Sequence, residues 1–418
     1  MNDQVLSQEN CIVAIVGGGT SGLALAAELK RLSVGTVVVL EREAEAGGIP
    51  RHCGHYPFGF REYGRLLKGP QYAKRNVEIA KLLGVDIRTS ATVVALREGG
   101  TLEVSTDQRR YLLHAQRTIL CTGVRESSRA QRFVGGDRPQ GVMSTGALQT
   151  LSYLKEIRPF RRPVILGSEL VSFSAIQTCA HLGIKPVAMV EERNSLIARS
   201  IFRTYSILKA VPLLTGAKEL NVVGQRRVEA LRFTDRSGKP QEIECDGIIV
   251  SGRFRPESAL IRSSHLELDQ KTGGPVVDQF GRTTDPVYFC TGNIVRPAET
   301  SGFCWHEGVA TARRIAEDLG RGETIQQPFA SVVIHGKALQ FAVPQRITLT
   351  DQNGGAESFY LGLNEYFKGR IKITTGNDQE LWSGTLNSKP VRRIQIPIPK
   401  IHTEKPPEKI QISTEKQV

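Results

Sequence analysis

Two passages of the chain share one hydrophobic pattern, in which a short apolar run leads through a glycine turn and a helical stretch to a second apolar run. In the first passage, residues 11–16 form an apolar run that ends in three glycines. Residues 23–32 then predict a helix, and residues 36–40 predict a second strand that ends at Glu41. A short apolar run before a glycine turn is typical of a buried parallel strand. The first passage therefore predicts a βαβ unit.

The same pattern begins again about 150 residues further along the chain. Residues 163–166 predict a strand, Gly167 begins a turn, residues 170–182 predict a helix, and residues 187–190 predict a strand that ends at Glu191. Further short β-like runs precede and follow this passage. Together the two passages predict an α/β fold with two Rossmann-like dinucleotide-binding domains, the second inserted in the first.

The change of pattern along the chain sets the expected domain boundaries. We assign residues 1–157 and 262–326 to the first domain and residues 158–261 to the inserted domain. From about residue 327, alternating apolar and polar positions predict a small β-rich C-terminal domain over residues 327–397. Residues 398–418 are rich in Lys, Glu and Pro, and this composition predicts a disordered tail.

Composition and charge narrow the class of protein. With 40% hydrophobic and 23% charged residues among 418, the chain has ordinary globular composition. No apolar stretch approaches the ~20 residues that span a bilayer, and the polar N-terminus lacks a signal-peptide pattern. We therefore expect a cytoplasmic protein without a transmembrane segment, and peripheral contact with the inner membrane face stays open.

The net charge of +13 does not identify a nucleic-acid-binding protein, because no zinc-finger spacing or RNA-binding aromatic signature accompanies it. The cationic segment from Lys389 onward and the β-rich domain are candidate contacts for a partner or a membrane surface. The seven cysteines lie at least fourteen residues apart, which excludes C-x-x-C pairs and a clustered iron–sulfur site. We predict no metal site in this chain.

The first glycine turn satisfies the G-x-G-x-x-G pattern over Gly17–Gly22. In such a turn Gly17 permits the tight bend, Gly19 permits a pyrophosphate to approach the backbone, and Gly22 permits close packing of helix on strand. The helix N-terminus then offers free N–H groups to the phosphates. Glu41 follows nineteen residues after Gly22, where a carboxylate can accept hydrogen bonds from a ribose diol. We predict a dinucleotide site here.

Three segments carry a resemblance to a known family: Gly17–Glu41, Ile119–Gly123 and Tyr288–Asn293. The sequence resembles the two-dinucleotide-domain FAD-dependent oxidoreductases, which are related in layout to the glutathione reductase family. The resemblance implies an FAD cofactor and a second FAD motif at Gly292–Asn293. The family has an acidic residue where this chain has Asn293, which keeps the capacity to hydrogen-bond but removes a charge. The implied FAD-binding residues are Gly17, Gly19, Thr20, Ser21, Gly22, Glu41, Arg42, Gly48, Ile49, Thr122, Gly123, Gly292, Asn293 and Gly302.

A narrower resemblance rests on residues 47–55 with Gly69-Pro70, on Val171–Ser174 and on Gly292–Thr300. These segments resemble flavoprotein subunits of bacterial dehydrogenases that act on small amino, imino or hydroxy acids or on glycerol phosphate. The resemblance covers roughly residues 10–325. It implies hydride transfer from a small polar substrate to flavin N5, with electrons passed to a quinone or a partner subunit.

The second glycine motif departs from the pattern that a pyridine nucleotide needs. It reads Gly167-Ser168-Glu169, so a carboxylate replaces the glycine that permits close approach of a pyrophosphate. At an effective dielectric of ~20, such a carboxylate 4–8 Å from the phosphates costs roughly 2–4 kcal/mol. Glu191 is either a ribose-binding acid or a solvated strand end. Two alternatives stay open: an NAD(P)H-dependent flavin reductase, and a non-catalytic flavin-binding subunit of a complex.

Three side chains are candidates for chemistry near the flavin: Cys53, Arg51 and His306. Cys53 is either a reactive thiol between two histidines or part of a structural loop, and it has no second cysteine nearby for dithiol chemistry. Arg51 begins a basic segment and could bind a substrate carboxylate or phosphate. His306 follows Trp305 in a helix whose N-terminus, by the resemblance, points at the flavin. It is either a proton acceptor or a hydrogen-bonded residue of the helix start.

Overall fold

The computed structural model describes residues 6–322, 328–349, 355–401 and 407–416. The chain forms two compact units. The first comprises residues 1–48, 73–124 and 255–418, and the second comprises residues 49–72 and 125–254. Each unit contains a parallel sheet, which confirms the predicted α/β class with two Rossmann-like units.

Eight α-helices and twenty-six strands lie in the described residues. The helices are α1 (Thr20–Arg31), α2 (Phe60–Tyr63), α3 (Gly69–Leu82), α4 (Thr145–Lys155), α5 (Leu170–His181), α6 (Ile201–Leu208), α7 (Ala259–Arg262) and α8 (Ser301–Gly320). The strands up to residue 144 are β1 (Ser7–Val16), β2 (Val37–Leu40), β3 (Asp86–Arg88), β4 (Thr92–Arg97), β5 (Thr101–Ser105), β6 (Arg110–Leu120), β7 (Val124–Glu126), β8 (Gly135–Gly136) and β9 (Val142–Ser144).

The remaining strands follow in chain order. They are β10 (Pro163–Leu166), β11 (Ala188–Glu191), β12 (Leu213–Thr215), β13 (Lys218–Val223), β14 (Ala230–Thr234), β15 (Pro240–Glu244), β16 (Gly247–Val250), β17 (Phe254–Pro256), β18 (Tyr288–Cys290), β19 (Phe329–His335), β20 (Leu339–Val343), β21 (Arg346–Thr348), β22 (Ser358–Leu363), β23 (Phe367–Thr375), β24 (Glu380–Ser388), β25 (Ile394–Pro397) and β26 (Lys409–Lys416).

In the first unit, β3, β2, β1 and β6 run side by side in parallel, and β18 joins β6 in the same direction. Val16 at the end of β1 lies opposite Leu40 on one side and Leu120 on the other. The carboxyl ends of three strands therefore meet at one edge of the sheet. Ligands of open parallel sheets bind at this edge.

The two faces of β1 contribute to two different cores, because successive side chains of a strand point to opposite faces. Val13 and Ile15 are fully buried with Leu25 and Leu29 of α1 and Ile315 of α8. Burial of each such side chain contributes roughly 1.5–3 kcal/mol. This core fixes α1 and α8 on one face of the sheet, so that both helices begin near the ligand-binding edge.

Strands β19–β26 form two sheets within the first compact unit, and we refer to them as the C-terminal β domain. One sheet has the order β21-β19-β26-β23-β24 and a second has the order β20-β22-β25. Alternate residues of β23 and β26 fill the core: Ile371, Ile373, Ile410 and Ile412 are at most 1% exposed.

The prediction of a disordered tail over residues 398–418 is wrong for residues 409–416. These residues form β26, which pairs parallel with β19 and antiparallel with β23 in the middle of the sheet. The Lys, Glu and Pro content suggested disorder, but Ile410 and Ile412 alternate with polar residues and are fully buried. Residues 402–406, 417 and 418 lie outside the described residues.

The second unit contains a parallel sheet of order β12-β11-β10-β16-β9 and an antiparallel sheet of order β15-β14-β13-β8. Strand β9 pairs with β16, and Leu148 of α4 shares a core with Phe173 and Ile176 of α5. Residues 125–157, which the sequence pattern places in the first domain, therefore group with the second unit, as do residues 49–72.

Candidate FAD site

The turn between β1 and α1 requires glycine at two positions. Gly17 has φ +109°, and a Cβ there would lie 2.6 Å from the backbone oxygen of Cys121. A Cβ on Gly22 would lie 2.1 Å from the backbone oxygen of Gly17. Both neighbours are backbone atoms that cannot move aside, so α1 begins as close to the sheet as the sequence pattern predicts.

The N-terminus of α1 faces open space. Gly19 is the N-cap, has φ −83°, and provides no side chain to cap the helix. A Cβ on Gly19 would come no closer than 4.0 Å to any protein atom, and that atom is the Cα of Gly48. No acidic residue occupies the first turn, which begins with Thr20 and Ser21. Free N–H groups and the positive end of the helix dipole are therefore available to an anion.

The segment around Gly48 closes the side of this space. Gly47 N–H donates to Gly18 O (2.7 Å), and Gly48 has φ +61°. A Cβ on Gly48 would lie 2.8 Å from the Cα of Gly19. The segments Gly18–Gly19 and Gly47–Gly48 therefore approach each other at backbone distance. Side chains would fill the space beside them, which we call the cradle. This cradle fits a pyrophosphate.

Glu41 lies at the end of β2, where its carboxylate is held by backbone donors. Its Oε2 accepts from Gly18 N–H (3.0 Å), its Oε1 accepts from Glu43 N–H (2.9 Å), and the residue is 7% exposed. Each oxygen keeps a further lone pair for a ribose hydroxyl. Arg42, by contrast, is largely exposed beside Glu43.

Two glycines let the second predicted FAD motif lie against the first turn of α1. Gly292 has φ +76°, and a Cβ there would lie 2.6 Å from Ser21 Oγ. A Cβ on Gly308 of α8 would lie 2.4 Å from Ser21 O. The structure thus brings together Ser21 and Gly292, two of the predicted FAD-binding residues.

The amide of Asn293 is engaged within its own loop. Asn293 Nδ2 donates to Glu299 O (3.1 Å), and Glu299 N–H donates to Asn293 Oδ1 (2.7 Å). An aspartate could accept the second bond but could not donate the first. The departure from the family's acidic residue therefore has a local reason, which is closure of the loop from 293 to 299.

The other predicted residues of the first unit lie at the ends of β6 and α8. Thr122 Oγ1 donates to Glu257 O (2.7 Å), and Glu257 N–H donates to Gly123 O (2.9 Å). Gly302 lies in the first turn of α8. His306 is exposed, with its ring edge-to-face with that of Trp305 at 5.0 Å.

Ile49, Arg51 and Cys53 belong to the second unit, where a short 3₁₀ helix spans Ile49–His52. Ile49 is 48% exposed, whereas Cys53 is buried and its thiol donates to Gln149 Oε1 (3.6 Å). Burial, and to a smaller extent the charge of Glu126, raises the pKa of Cys53 to about 12. A neutral buried thiol is unreactive. The geometry therefore favours the structural interpretation of Cys53.

In the second glycine motif, the side chain of Glu169 occupies the turn itself. Glu169 is the N-cap of α5 but accepts no hydrogen bond from that helix through its side chain. Its Oε1 instead accepts from Arg253 N–H (2.8 Å), and its carboxyl group lies 2.6–2.8 Å from the place of a Cβ on Gly252. The residue is 8% exposed. Burial raises its pKa, against the opposing effects of the Arg253 N–H and the Arg132 charge.

Arg132 supports this turn from the sheet side, and sequence reasoning missed it. Its Nη1 donates to Leu166 O and Ser251 O (both 2.9 Å), and its Nη2 donates to Glu192 Oε2 (2.8 Å). Arg253 Nη2 also pairs with Glu192 (2.7 Å). The second glycine motif therefore carries a buried carboxylate of its own, and the charges of Arg132 and Arg253 both act on it.

Glu191 is buried rather than solvated, so the interpretation as a solvated strand end is wrong. It is 1% exposed; Ser168 Oγ–H donates to its Oε2 (2.6 Å), and Arg193 N–H donates to its Oε1 (2.9 Å). Ser168 occupies the position that Gly18 has in the first motif. Its hydroxyl binds a lone pair of the Glu191 carboxylate that a ribose hydroxyl would otherwise use.

The family comparison decides the class of the chain. The family model described as "Pyridine nucleotide-disulphide oxidoreductase" matches residues 11–314. The chain belongs to this family. Membership confirms the resemblance seen in Gly17–Glu41, the class of oxidoreductase, and FAD as the cofactor. The cradle of Gly19 and Gly48, the open helix N-terminus and the buried Glu41 fit that cofactor.

Two similar proteins are components of named oxidases. The chain is 23% identical over 336 residues to one of the subunits of the opine oxidase of Rhizobium meliloti, covering 73% of this chain and 61% of that protein. It is 25% identical over 261 residues to the alpha subunit of the sarcosine oxidase of Corynebacterium sp. (strain P-1), covering 58% of this chain and 26% of that protein. The chain thus spans less than two thirds of the length of either.

Solved structures share the fold. Thioredoxin reductase of T. acidophilum superposes with a TM-score of 0.61 at 21% identity, covering 74% of this chain and 99% of that chain. L-proline dehydrogenase of P. horikoshii superposes with a TM-score of 0.58 at 19% identity, covering 76% of this chain and 57% of that chain.

Two features are absent from the described ranges. No helix in residues 6–322 or the later described segments is long and apolar enough to cross a membrane. Across the same residues, no cluster of three His, Cys, Asp or Glu side chains could hold a metal ion.

Proposed function

We propose that this family member is the flavoprotein subunit of a dehydrogenase that does not exchange electrons with NAD(P)H. The observation that carries the proposal is the Glu169 carboxylate in the second glycine turn, where it accepts from Arg253 N–H. At an effective dielectric of ~20, a phosphate charge 4–8 Å from that buried carboxylate would cost roughly 2–4 kcal/mol, or about thirty- to thousand-fold in affinity. The domain persists as a folded scaffold, because the same carboxylate is satisfied by the chain's own donors.

The substrate in this proposal is a small amino, imino or hydroxy acid or a related polar metabolite. The names opine oxidase and sarcosine oxidase among the relatives support the amino- and imino-acid part of this class. Two-electron acceptance is the chemistry that FAD supplies when bound. The chain's own contribution is to hold the cofactor at Gly19 and Glu41, and to direct the N-terminal dipole of α8 at the ligand-binding edge.

Electrons would then leave to a quinone or to a partner subunit, and the complex would work in the cytoplasm. The designation of both relatives as subunits supports a multi-subunit assembly. In this proposal Gly17, Thr20, Ser21, Gly22, Thr122, Gly123, Gly292 and Asn293 belong to the FAD site, and His306 and Arg51 remain candidates for substrate contact.

An anaerobic reduction experiment tests the proposal. The flavin-loaded protein is mixed separately with excess NADH and NADPH, and the flavin absorbance is followed near 450 nm (roughly, a property of the cofactor). We expect no bleaching on the turnover time scale, followed by full bleaching with dithionite. Rapid bleaching by either nucleotide would refute the proposal in favour of an NAD(P)H-dependent flavin reductase.

A second arm identifies the substrate and tests for catalysis. The same protein is mixed with small amino, imino and hydroxy acids and with glycerol phosphate, alone and after reconstitution with the products of neighbouring genes. We expect one class to bleach the flavin. Failure of every class under both conditions, with dithionite reduction intact, would refute the enzymatic part of the proposal in favour of a non-catalytic flavin-binding subunit.

A further inference from the structure

The loop that follows the second FAD motif is held from outside the dinucleotide-binding fold. Arg393, which immediately precedes β25 of the C-terminal β domain, reaches Glu299 in this loop with two guanidinium nitrogens. Its Nε donates to Glu299 Oε1 (2.9 Å) and its Nη2 to Glu299 Oε2. The Arg393 Cζ also lies 3.1 Å from the ring centroid of Phe303, in the first turn of α8. Such a two-point pair fixes direction as well as distance.

Arg393 and Asn293 both bind Glu299. Arg393 binds the Glu299 carboxylate, and the Asn293 amide binds the Glu299 backbone. Asn293 both accepts from Glu299 N–H (2.7 Å) and donates to Glu299 O (3.1 Å). Glu299 therefore connects Arg393 to the residue directly after Gly292. The Glu299 side chain is 11% exposed and the Arg393 side chain is 26% exposed, so the pair is partly shielded from solvent.

A second contact joins the same loop to the same domain. Arg296 is 6% exposed, pairs with Glu307 of α8, and its Cζ lies 3.8 Å from the ring centroid of Tyr360 on β22. The loop thus contacts the C-terminal domain through both Arg296 and Glu299, and Arg296 also binds α8. Without that domain, Glu299 and Arg296 would each lose a partner.

We propose that Arg393 is a positioning residue for FAD: it acts through Glu299 to fix Asn293 and Gly292 in the geometry that the cofactor requires. This inference rests on the FAD site at Gly292–Asn293 and is independent of the substrate. It gives the C-terminal β domain a role in cofactor binding, although that domain lies outside the segment matched by the family model.

The test measures FAD affinity and the spectrum of the bound flavin in the full chain. Arg393→Met removes the ion pair, and Arg392→Met is the matched control, because it removes the same charge one residue earlier. No ion pair of Arg392 occurs within residues 6–322, 328–349, 355–401 and 407–416. We expect Arg393→Met to raise the FAD Kd roughly 10-fold and to change the visible circular dichroism of the flavin. We expect Arg392→Met to change the Kd by less than about twofold.

Two further variants separate positioning from general stabilisation. Arg393→Lys keeps the charge but not the two-point geometry, so its Kd should fall between those of wild type and Arg393→Met. In a double-mutant cycle, Asn293→Ala already releases Glu299, so adding Arg393→Met should raise the Kd by less than about threefold more. The melting temperature of each apoprotein is measured alongside.

The outcomes are distinct. Equal Kd values and spectra for Arg393→Met and Arg392→Met would overturn the inference and leave the proposed function intact. Fully additive effects of Asn293→Ala and Arg393→Met, with a lower melting temperature of the apoprotein and no rescue by lysine, would also overturn it, since they indicate a structural contact alone. A wild-type chain that binds no FAD would refute both the inference and the proposed function.

Discussion

Replacing Gly19 by alanine separates the stability of the glycine turn from its capacity to hold a phosphate. Gly19 has φ −83°, which alanine adopts without strain, and the added Cβ meets no protein atom within 4.0 Å except the Cα of Gly48 at that distance. The substitution therefore leaves the folded chain sterically undisturbed. It places a methyl group in the space from which a pyrophosphate must approach the helix N-terminus.

The magnitudes follow from these contacts. In the apoprotein, the smaller conformational freedom of alanine in the unfolded chain stabilises by about 0.4–1 kcal/mol. The poorer N-cap preference of alanine opposes this by a similar amount. We expect a net change in unfolding free energy below about 1 kcal/mol. With cofactor, losing one charge-assisted hydrogen bond to phosphate costs roughly 1.5–3 kcal/mol, or on the order of 10- to 100-fold in Kd.

The assay compares two alanine variants of one turn. Urea unfolding of the apoprotein gives the stability, and fluorescence titration gives the FAD Kd. Gly22→Ala is the contrasting variant, because its Cβ would lie 2.1 Å from Gly17 O and should destabilise the apoprotein by about 3 kcal/mol. If Gly19→Ala bound FAD as tightly as wild type, the pyrophosphate would not approach this backbone and the assignment of the cradle would be refuted.

Three further predictions address other parts of the chain. Because burial raises the pKa of Cys53 to about 12, we expect iodoacetamide not to alkylate Cys53 in the native protein at pH 8. Peptide mass spectrometry measures the alkylation, and rapid alkylation would contradict this prediction. Burial raises the pKa of Glu169, so the contribution of Glu169 to the unfolding free energy falls as pH rises from about 4.5 through its folded pKa. The unfolding free energy of Glu169→Gln relative to wild type should therefore rise over that interval, and a pH-independent difference would refute the reasoning. The Cβ of Gly308→Ala would lie 2.4 Å from Ser21 O, so this substitution should lower the melting temperature by roughly 3–8 °C. An unchanged melting temperature would show that α1 and α8 can move apart without loss of stability.

The first dinucleotide-binding unit was largely predictable from sequence, because its signals are local. The apolar run before Gly17, the helix after it and the acid at Glu41 follow each other within one βαβ unit, and each has a fixed mechanical role. The structure shows the same order, with Glu41 held by Gly18 N–H. The departure of the second motif from the glycine pattern was equally predictable from sequence, because Glu169 replaces its second glycine.

What the sequence did not reveal are pairings between distant residues. Arg132 reaches Glu192 across 60 positions, and Arg393 reaches Glu299 across 94, with no periodicity that marks either pair. The assignment of residues 125–157 missed β9, because a three-residue strand gives too short a pattern to recognise. The tail was misjudged because composition was weighed over the alternation of Ile410 and Ile412, two residues that suffice to anchor a strand in a core.

The central place of β26 has a consequence for how the C-terminal domain is made. During synthesis, β19 is made before its partner β26, whose Lys409 lies 78 residues after its partner Ser331 (409 − 331). Until β26 is made, one edge of β19 and one edge of β23 have no strand between them. Unpaired strand edges are sites of intermolecular association, so chaperone demand should peak in this window. A chain shortened at residue 397 would be arrested in that state permanently, and should accumulate as an aggregate.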